Sequence, residues 1–293
     1  MKTGGKISLV RNRSILKIVW DEFVYGSHLV AVGDILSLFV ISVILDIKVS
    51  ISFFLVVYFS ILAINFFNRY KEQDLDALTN PERLDSVSKY FRFTPHIVAV
   101  LFFVSVCLTA INAPISALIF MLFLFGLGLL YTILLKDITK KIVGFKNIMT
   151  ALPYALLVIF MSLFYGAPIT LATVLVTIFY FLRMFINTMF FDIKDIKSDK
   201  KEGLKTFPVV FGATNTKLFL VFINIISMIP ILIGIASGIL PFYSVVLYAT
   251  IIYAFLYLNN RQLFRKQSTL YNVVVDGEFI LWLPYLVIGK ILL

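Results

Sequence analysis

Cysteine, histidine and charge are all scarce in this chain, and each shortage removes a class of protein. Cys107 is the one cysteine in 293 residues, which excludes an intrachain disulfide framework and a cysteine metal cluster. The two histidines, His28 and His96, stand at the starts of apolar runs and read as interfacial residues. Charged residues make up 14% of the sequence against 60% hydrophobic, with a mean hydropathy of +0.98. That leaves too little polar sequence to cover a soluble surface, so the composition is that of a membrane protein. No internal repeat is visible. Residues 1–27 lack the uninterrupted apolar core and small-residue cleavage site of a secretory signal, and read as a cytoplasmic N-terminal segment of the mature chain.

What is present in abundance is apolar sequence of helical length. Nine segments reach or approach the length a helix needs to cross a bilayer: about 28–46, 51–67, 95–112, 115–135, 147–165, 169–191, 217–238, 241–258 and 277–293. The expected fold is all-α: a polytopic membrane protein of nine transmembrane helices in one bundle around a central cavity, forming a single domain over 1–293 with cytoplasmic cap loops. Of the 26 lysines and arginines, only Lys48 and Lys290 fall at the opposite ends of the spans, and only Arg183 lies within one. This asymmetry predicts a cytoplasmic N-terminus in a cell (inner) membrane. The net charge of +10 is then topogenic and faces lipid headgroups; no basic stretch belongs to a soluble domain that reads nucleic acid.

Against this background the stretch "FFDIKDIKSDKKEGLKTFPVVFG" (190–212) gathers three aspartates. Asp192, Asp195 and Asp199 are spaced i, i+3, i+7 and share one helix face. A second cluster, "NRYKEQDLDALTNPER" (68–83), follows the second span and places Asn68, Glu72 and Asp76 at i, i+4, i+8. Both clusters end spans that exit on the same side. Two like charges about 4 Å apart repel by about 4 kcal/mol at an effective dielectric near 20, so stacked carboxylates call for a cation among them. An all-oxygen ligand set suits Mg²⁺, which takes one or two carboxylates and completes its shell with water and substrate phosphate. Solvated loop charge is the plainer explanation for either cluster alone, and two one-faced clusters at one end favour a shared site.

The 190–212 stretch resembles the second signature of the UbiA superfamily of intramembrane prenyltransferases, and the 68–83 stretch resembles its first signature, an Asn followed by acids four and eight residues on and an "NP-acid-R" turn. "YTILLKDITKKIVGFKN" (131–147) is similar to the family's Tyr, Lys and Asn segment. The resemblance implies Mg²⁺-dependent transfer of a prenyl group from a prenyl diphosphate to an aromatic or lipid-like acceptor among membrane lipids. It implies that Asn68, Glu72, Asp76, Asp192, Asp195 and Asp199 hold the metal, while Lys136 and Lys146 neutralise diphosphate oxygens oriented by Tyr131 and Asn147. Two departures stand out: Arg69 replaces an acid common in the family, and Glu72 replaces an Asp. Arg69 reads either as a phosphate donor or as a residue marking the membrane edge. An ion-coupled transporter and a catalytically silent lipid-binding homologue are the competing functional classes; the first calls for repeats and mid-membrane polar sites.

Further expectations concern isolated charges. Asp34 and Arg183 lie inside spans, where a charge usually pairs or faces a cavity, and are expected to approach each other or share a polar network with Asn187. Asp276 and Glu278 read as caps or exit charges of the last span. Asn80 as N-cap, Pro81 at the first helical position and Glu82 in the first turn predict a short helix able to cover the site.

Overall fold

The computed structural model describes residues 14–73, 81–133, 135–260 and 269–292, and within these it is helical throughout with no strand. A bilayer allows little else, because each backbone amide must find its partner inside its own segment. In chain order the helices are α1 (Ile15–Tyr25), α2 (His28–Ile44), α3 (Ile51–Lys71), α4 (Pro81–Val87), α5 (Thr94–Asn112), α6 (Ile115–Ile133), α7 (Phe145–Phe164), α8 (Leu171–Lys201), α9 (Phe207–Ile226), α10 (Met228–Ala236), α11 (Tyr248–Asn259), α12 (Thr269–Ile280) and α13 (Trp282–Leu292). Eight helical segments among the described residues are long and apolar enough to cross a membrane, and the bent α1–α2 pair raises the count to nine. The protein is an integral, multi-pass membrane protein.

Several boundaries differ from the sequence expectation. Residues 15–25, expected in the N-terminal segment, form α1, which meets α2 at a 59° bend where Ser27 adopts a left-handed backbone with φ of 70°. The span expected at 169–191 continues as helix to Lys201, so the aspartates stand on the same rigid rod as the membrane segment. The span expected at 217–238 begins at Phe207 and is interrupted at Gly212, whose φ of 81° only glycine adopts without strain. The last span, expected from 277, begins on the described chain at Thr269 and breaks between Ile280 and Trp282. In the last case charge had cut the apolar run short at Asp276 and Glu278, and the fold buries Glu278 fully and Asp276 in part.

The helices close into a ring. α2 packs on α3, α3 on α6, α6 on α7, α7 on α8, α8 on α9, α9 on α11, α11 on α12, and α12 returns to α2. α5 leans on α3 and leaves most of its surface outward, as a lipid-facing helix does. The core is aliphatic and aromatic: Phe53, Phe160 and Phe164 stack against one another where α3 meets α7, and Phe179, Tyr180 and Trp282 join α8 to α13.

Arg183 does not pair with Asp34. Its Nε donates to Glu278 Oε1 at 2.7 Å, and Nη1 donates to Asn224 Oδ1. The Tyr257 hydroxyl completes the carboxylate, donating to Oε2 at 3.1 Å. Both charged side chains are fully buried, and the cluster ties α8, α9, α11 and α12 together. Asp34 instead accepts from the Tyr180 hydroxyl, while Asn187 donates to Asp276 at 3.1 Å. Helical angle explains the split: residues two apart, such as Asp276 and Glu278, point roughly 200° apart, one toward the ring interior and one toward Arg183. Removing one partner of such a pair strands a buried charge. Glu278→Ala is therefore expected to lower stability by about 3–5 kcal/mol in detergent unfolding, whereas the double change Arg183→Met with Glu278→Leu recovers at least half of that loss.

Candidate active site

The two acid-bearing segments meet at one end of the ring, around a cavity of about 330 Å³. α3 delivers the first. Arg69 and Lys71 occupy its last turn, where cations suit the negative end of the helix dipole, and Glu72 is its C-cap. Asn68 Oδ1 accepts from the Thr132 hydroxyl of α6 at 3.3 Å. Arg69 Nη1 donates to the backbone carbonyl of Tyr25, locking the α1–α2 bend against the end of α3. Asn68, Arg69 and Glu72 all line the cavity, as does Tyr131 one residue before Thr132.

α8 delivers the second segment, and its three aspartates divide. Asp195 lines the cavity next to Lys194; its Oδ1 is buried with no hydrogen-bond partner among the described residues. Asp192 and Asp199 instead face Lys146 at the start of α7, whose Nζ lies 2.7 Å from Asp192 Oδ1 and 3.4 Å from Asp199 Oδ1. Asn147 is fully buried and its Nδ2 donates to Asp192 Oδ2 at 2.7 Å. Burying a lone carboxylate costs several kcal/mol, and an opposed ammonium with a fixed amide donor offsets that cost. Lys146 and Asn147 thus hold aspartates and do not line the cavity. Asp76 lies outside the described residues, and so does the side chain of Lys136.

The fold therefore brings Asn68, Glu72 and Asp195 to one cavity, with Arg69 and Tyr131 beside them, while Asp192 and Asp199 form an adjoining knot with Lys146. Among the described residues no three His, Cys, Asp or Glu side chains converge as a preformed metal cage.

Other lining residues escaped the sequence reading. Arg83, which follows the "NPE" turn, reaches the cavity from α4. α4 begins at Pro81 as expected and is pinned to α1: the Tyr25 hydroxyl donates to Glu82 Oε2 at 2.7 Å, and just beyond it Lys89 Nζ lies 3.2 Å from Glu22 Oε2. Asn80 lies outside the described residues. Asp34, Asn187 and Asp276 line the inner part of the same cavity; the only signal for them was that each is a polar residue in an apolar run. His28 is not simply interfacial, since its Nδ1 and the Tyr58 hydroxyl share a 2.7 Å hydrogen bond. His96 is exposed, as expected.

Residues 30–280 match the UbiA prenyltransferase family. A digeranylgeranylglyceryl phosphate synthase of Thermococcus sibiricus is 30% identical over 206 residues, covering 67% of this chain and 69% of the relative. In structure the chain is similar to a UbiA homologue from Archaeoglobus fulgidus bound to DMAPP and Mg²⁺, with a TM-score of 0.61 at 17% identity over 95% of this chain and 98% of that one. It is similar also to the apo UbiA homologue of Aeropyrum pernix K1, with a TM-score of 0.61 at 14% identity over 92% and 96% of the two chains. A family match across most of the sequence, carried by a helical ring of the same fold, makes this chain a member of the UbiA prenyltransferase family.

Proposed function

We propose that the chain transfers a prenyl group from a prenyl diphosphate to a lipid-like alcohol within the membrane, with Mg²⁺ as cofactor. The observation that carries this reading is the single cavity lined from one side by Asn68, Arg69 and Glu72 and from the other by Lys194 and Asp195. The Archaeoglobus homologue bound to DMAPP and Mg²⁺ and the naming of the Thermococcus relative for a glyceryl phosphate product support the donor, the metal and the acceptor class respectively.

The donor set suits the ion. Every candidate ligand is an oxygen, and Asp195 keeps a buried oxygen without a hydrogen-bond partner among the described residues. The absence of a three-residue cage among the described residues agrees with Mg²⁺, which leaves much of its shell to water and phosphate. Glu72, Asn68 and Asp195 would hold it, with Asp192 and Asp199 in reserve behind Lys146. When bound, the ion supplies positive charge to the leaving diphosphate.

The chain's own groups do the rest. Arg69, Arg83 and Lys194 line the same end and bind diphosphate oxygens by charge-assisted hydrogen bonds. The C1–O bond of the donor breaks with its electron pair passing to the diphosphate, and an oxygen lone pair of the acceptor forms the new C–O bond as the hydroxyl proton leaves. Between these events an allylic cation must be kept dry. Val57, Ile61, Leu124, Leu157 and Phe160 line the apolar wall, which excludes water. The excess of lysine and arginine at this end supports a cytoplasmic active site.

Purified protein given geranylgeranyl diphosphate, Mg²⁺ and an alkyl glycerol is expected to release pyrophosphate, to stop when EDTA is added, and to lose at least a hundredfold in kcat on Asp195→Ala. A transporter or a silent homologue would release none. Lys146→Met is expected to lower thermal stability in EDTA by about 3–5 kcal/mol through the stranded carboxylates, with part of the loss restored by Mg²⁺. For sidedness, a cysteine placed at Lys197 in a Cys107→Ser chain is expected to react with a membrane-impermeant maleimide only after cells are opened.

A further inference from the structure

The inner half of the cavity carries polar atoms that the diphosphate end does not use. Asp34 of α2 lines it at 1% exposure. The Tyr180 hydroxyl donates to its Oδ1, and its Oδ2 has no hydrogen-bond partner among the described residues. The hydroxyls of Ser27 and Ser60, at 1% and 9% exposure, line the same cavity and are likewise without partners. Ser27 is the N-cap of α2 in a left-handed backbone conformation, beside the Tyr25 carbonyl that accepts from Arg69, so it belongs nearer the diphosphate end, about 10 Å along the helix from Asp34.

Asp276 of α12 faces this wall and lies within electrostatic range of Asp34. Gly33 permits the approach of the two helices: a Cβ there would meet Phe279 Cβ at 3.1 Å and the Asp276 carbonyl oxygen at 3.5 Å. Asn187, which holds Asp276, precedes Asp195 by eight residues on α8, which sets this layer about 12 Å deeper than the diphosphate end.

A buried polar atom without a partner is costly until something satisfies it. A carboxylate oxygen accepts, and the Ser60 hydroxyl both donates and accepts, so the complementary ligand is one that brings O–H groups. An anion fits poorly. The cations lining the cavity, Arg69, Arg83 and Lys194, are already within electrostatic range of Asp276, and the buried Arg183 is committed to Glu278. A carboxylate at this depth would face Asp34 and Asp276 together.

The geometry points to a hydroxyl subsite: Asp34 and Ser60 receive the hydroxyls of a neutral alcohol acceptor, and Asp34 with Asp276 turns away acceptors that present a carboxylate there. This rests on the prenyl-transfer reading and names the residues that select its acceptor.

The test compares equilibrium binding of three probes to the full chain in detergent: 1-O-octylglycerol, octanoate of matched chain length, and dimethylallyl diphosphate with Mg²⁺. Asp34→Asn keeps an oxygen for Tyr180 and removes the charge. It is expected to weaken octylglycerol about tenfold, to tighten octanoate, and to leave the diphosphate within twofold. Ser60→Ala, which breaks no protein hydrogen bond, is expected to weaken octylglycerol about threefold and leave octanoate unchanged. A purely structural role for Asp34 would weaken all three probes together, and that result overturns the subsite. So does an unchanged octylglycerol affinity in Asp34→Asn, or a wild-type chain that does not bind octylglycerol. Should wild type fail to bind the diphosphate yet show the opposite shifts for alcohol and carboxylate, the prenyl-transfer reading fails while the subsite stands.

Discussion

Three carboxylates standing on one helix at the rim of an apolar bundle repel one another and resist leaving water, and the structure is organised around relieving that strain. Lys146 answers two of them from the start of α7, with Asn147 fixing Asp192 from the next position. Asp195 is left facing the cavity, eased by the charges of Lys194, Lys146 and Arg83, with one buried oxygen unpartnered among the described residues. A chain with so few charged residues places several of them where they create a demand for positive charge in a dry setting, and electrostatic interactions are strongest where water is excluded. The same demand that makes the site costly to fold suits it to the cation and phosphorylated ligand of the proposed function.

The ring arrangement separates the roles of its buried polar groups by direction. On α8, Tyr180 serves Asp34, while Arg183 turns toward α9, α11 and α12 to hold Glu278. Asn187 turns again toward the cavity and Asp276. One long helix thus carries a structural ion pair on one side and the floor of the reaction chamber on another. α1 and α4 close the acidic end through Tyr25, which bonds Glu82 by its hydroxyl and Arg69 by its carbonyl, so the first signature is braced by a helix outside the bundle.

Much of this was legible before any coordinates. Apolar run lengths yielded the all-helical class and most boundaries, because a bilayer admits few alternatives, and the expected nine crossings stand against eight or nine among the described residues. Carboxylate spacing correctly put Asp192, Asp195 and Asp199 on one helix and brought Glu72 and Asp195 to one cavity. The division of the three aspartates was not legible, since i, i+3, i+7 spacing gives a common face about 40° to 60° wide and says nothing of which neighbour stands opposite each residue. The same limit applied to Arg183: Glu278 lies ninety-five residues away, and only the closure of the ring brings α8 and α12 together. Charge at Asp276 and Glu278 looked like the end of a span because a hydropathy window counts charges without knowing whether they are paired.

The account turns on Glu72 and Asp195 acting through one shared ligand across the cavity. A double-mutant cycle on Mg²⁺-dependent binding of geranyl S-thiolodiphosphate, a donor analogue slow to ionise, measures this directly with Glu72→Gln, Asp195→Asn and the pair. The account predicts that each single change weakens binding at least tenfold and that the double change is little worse, a coupling of about 1 kcal/mol or more. Losses that simply add, or an affinity untouched by either change, would contradict it.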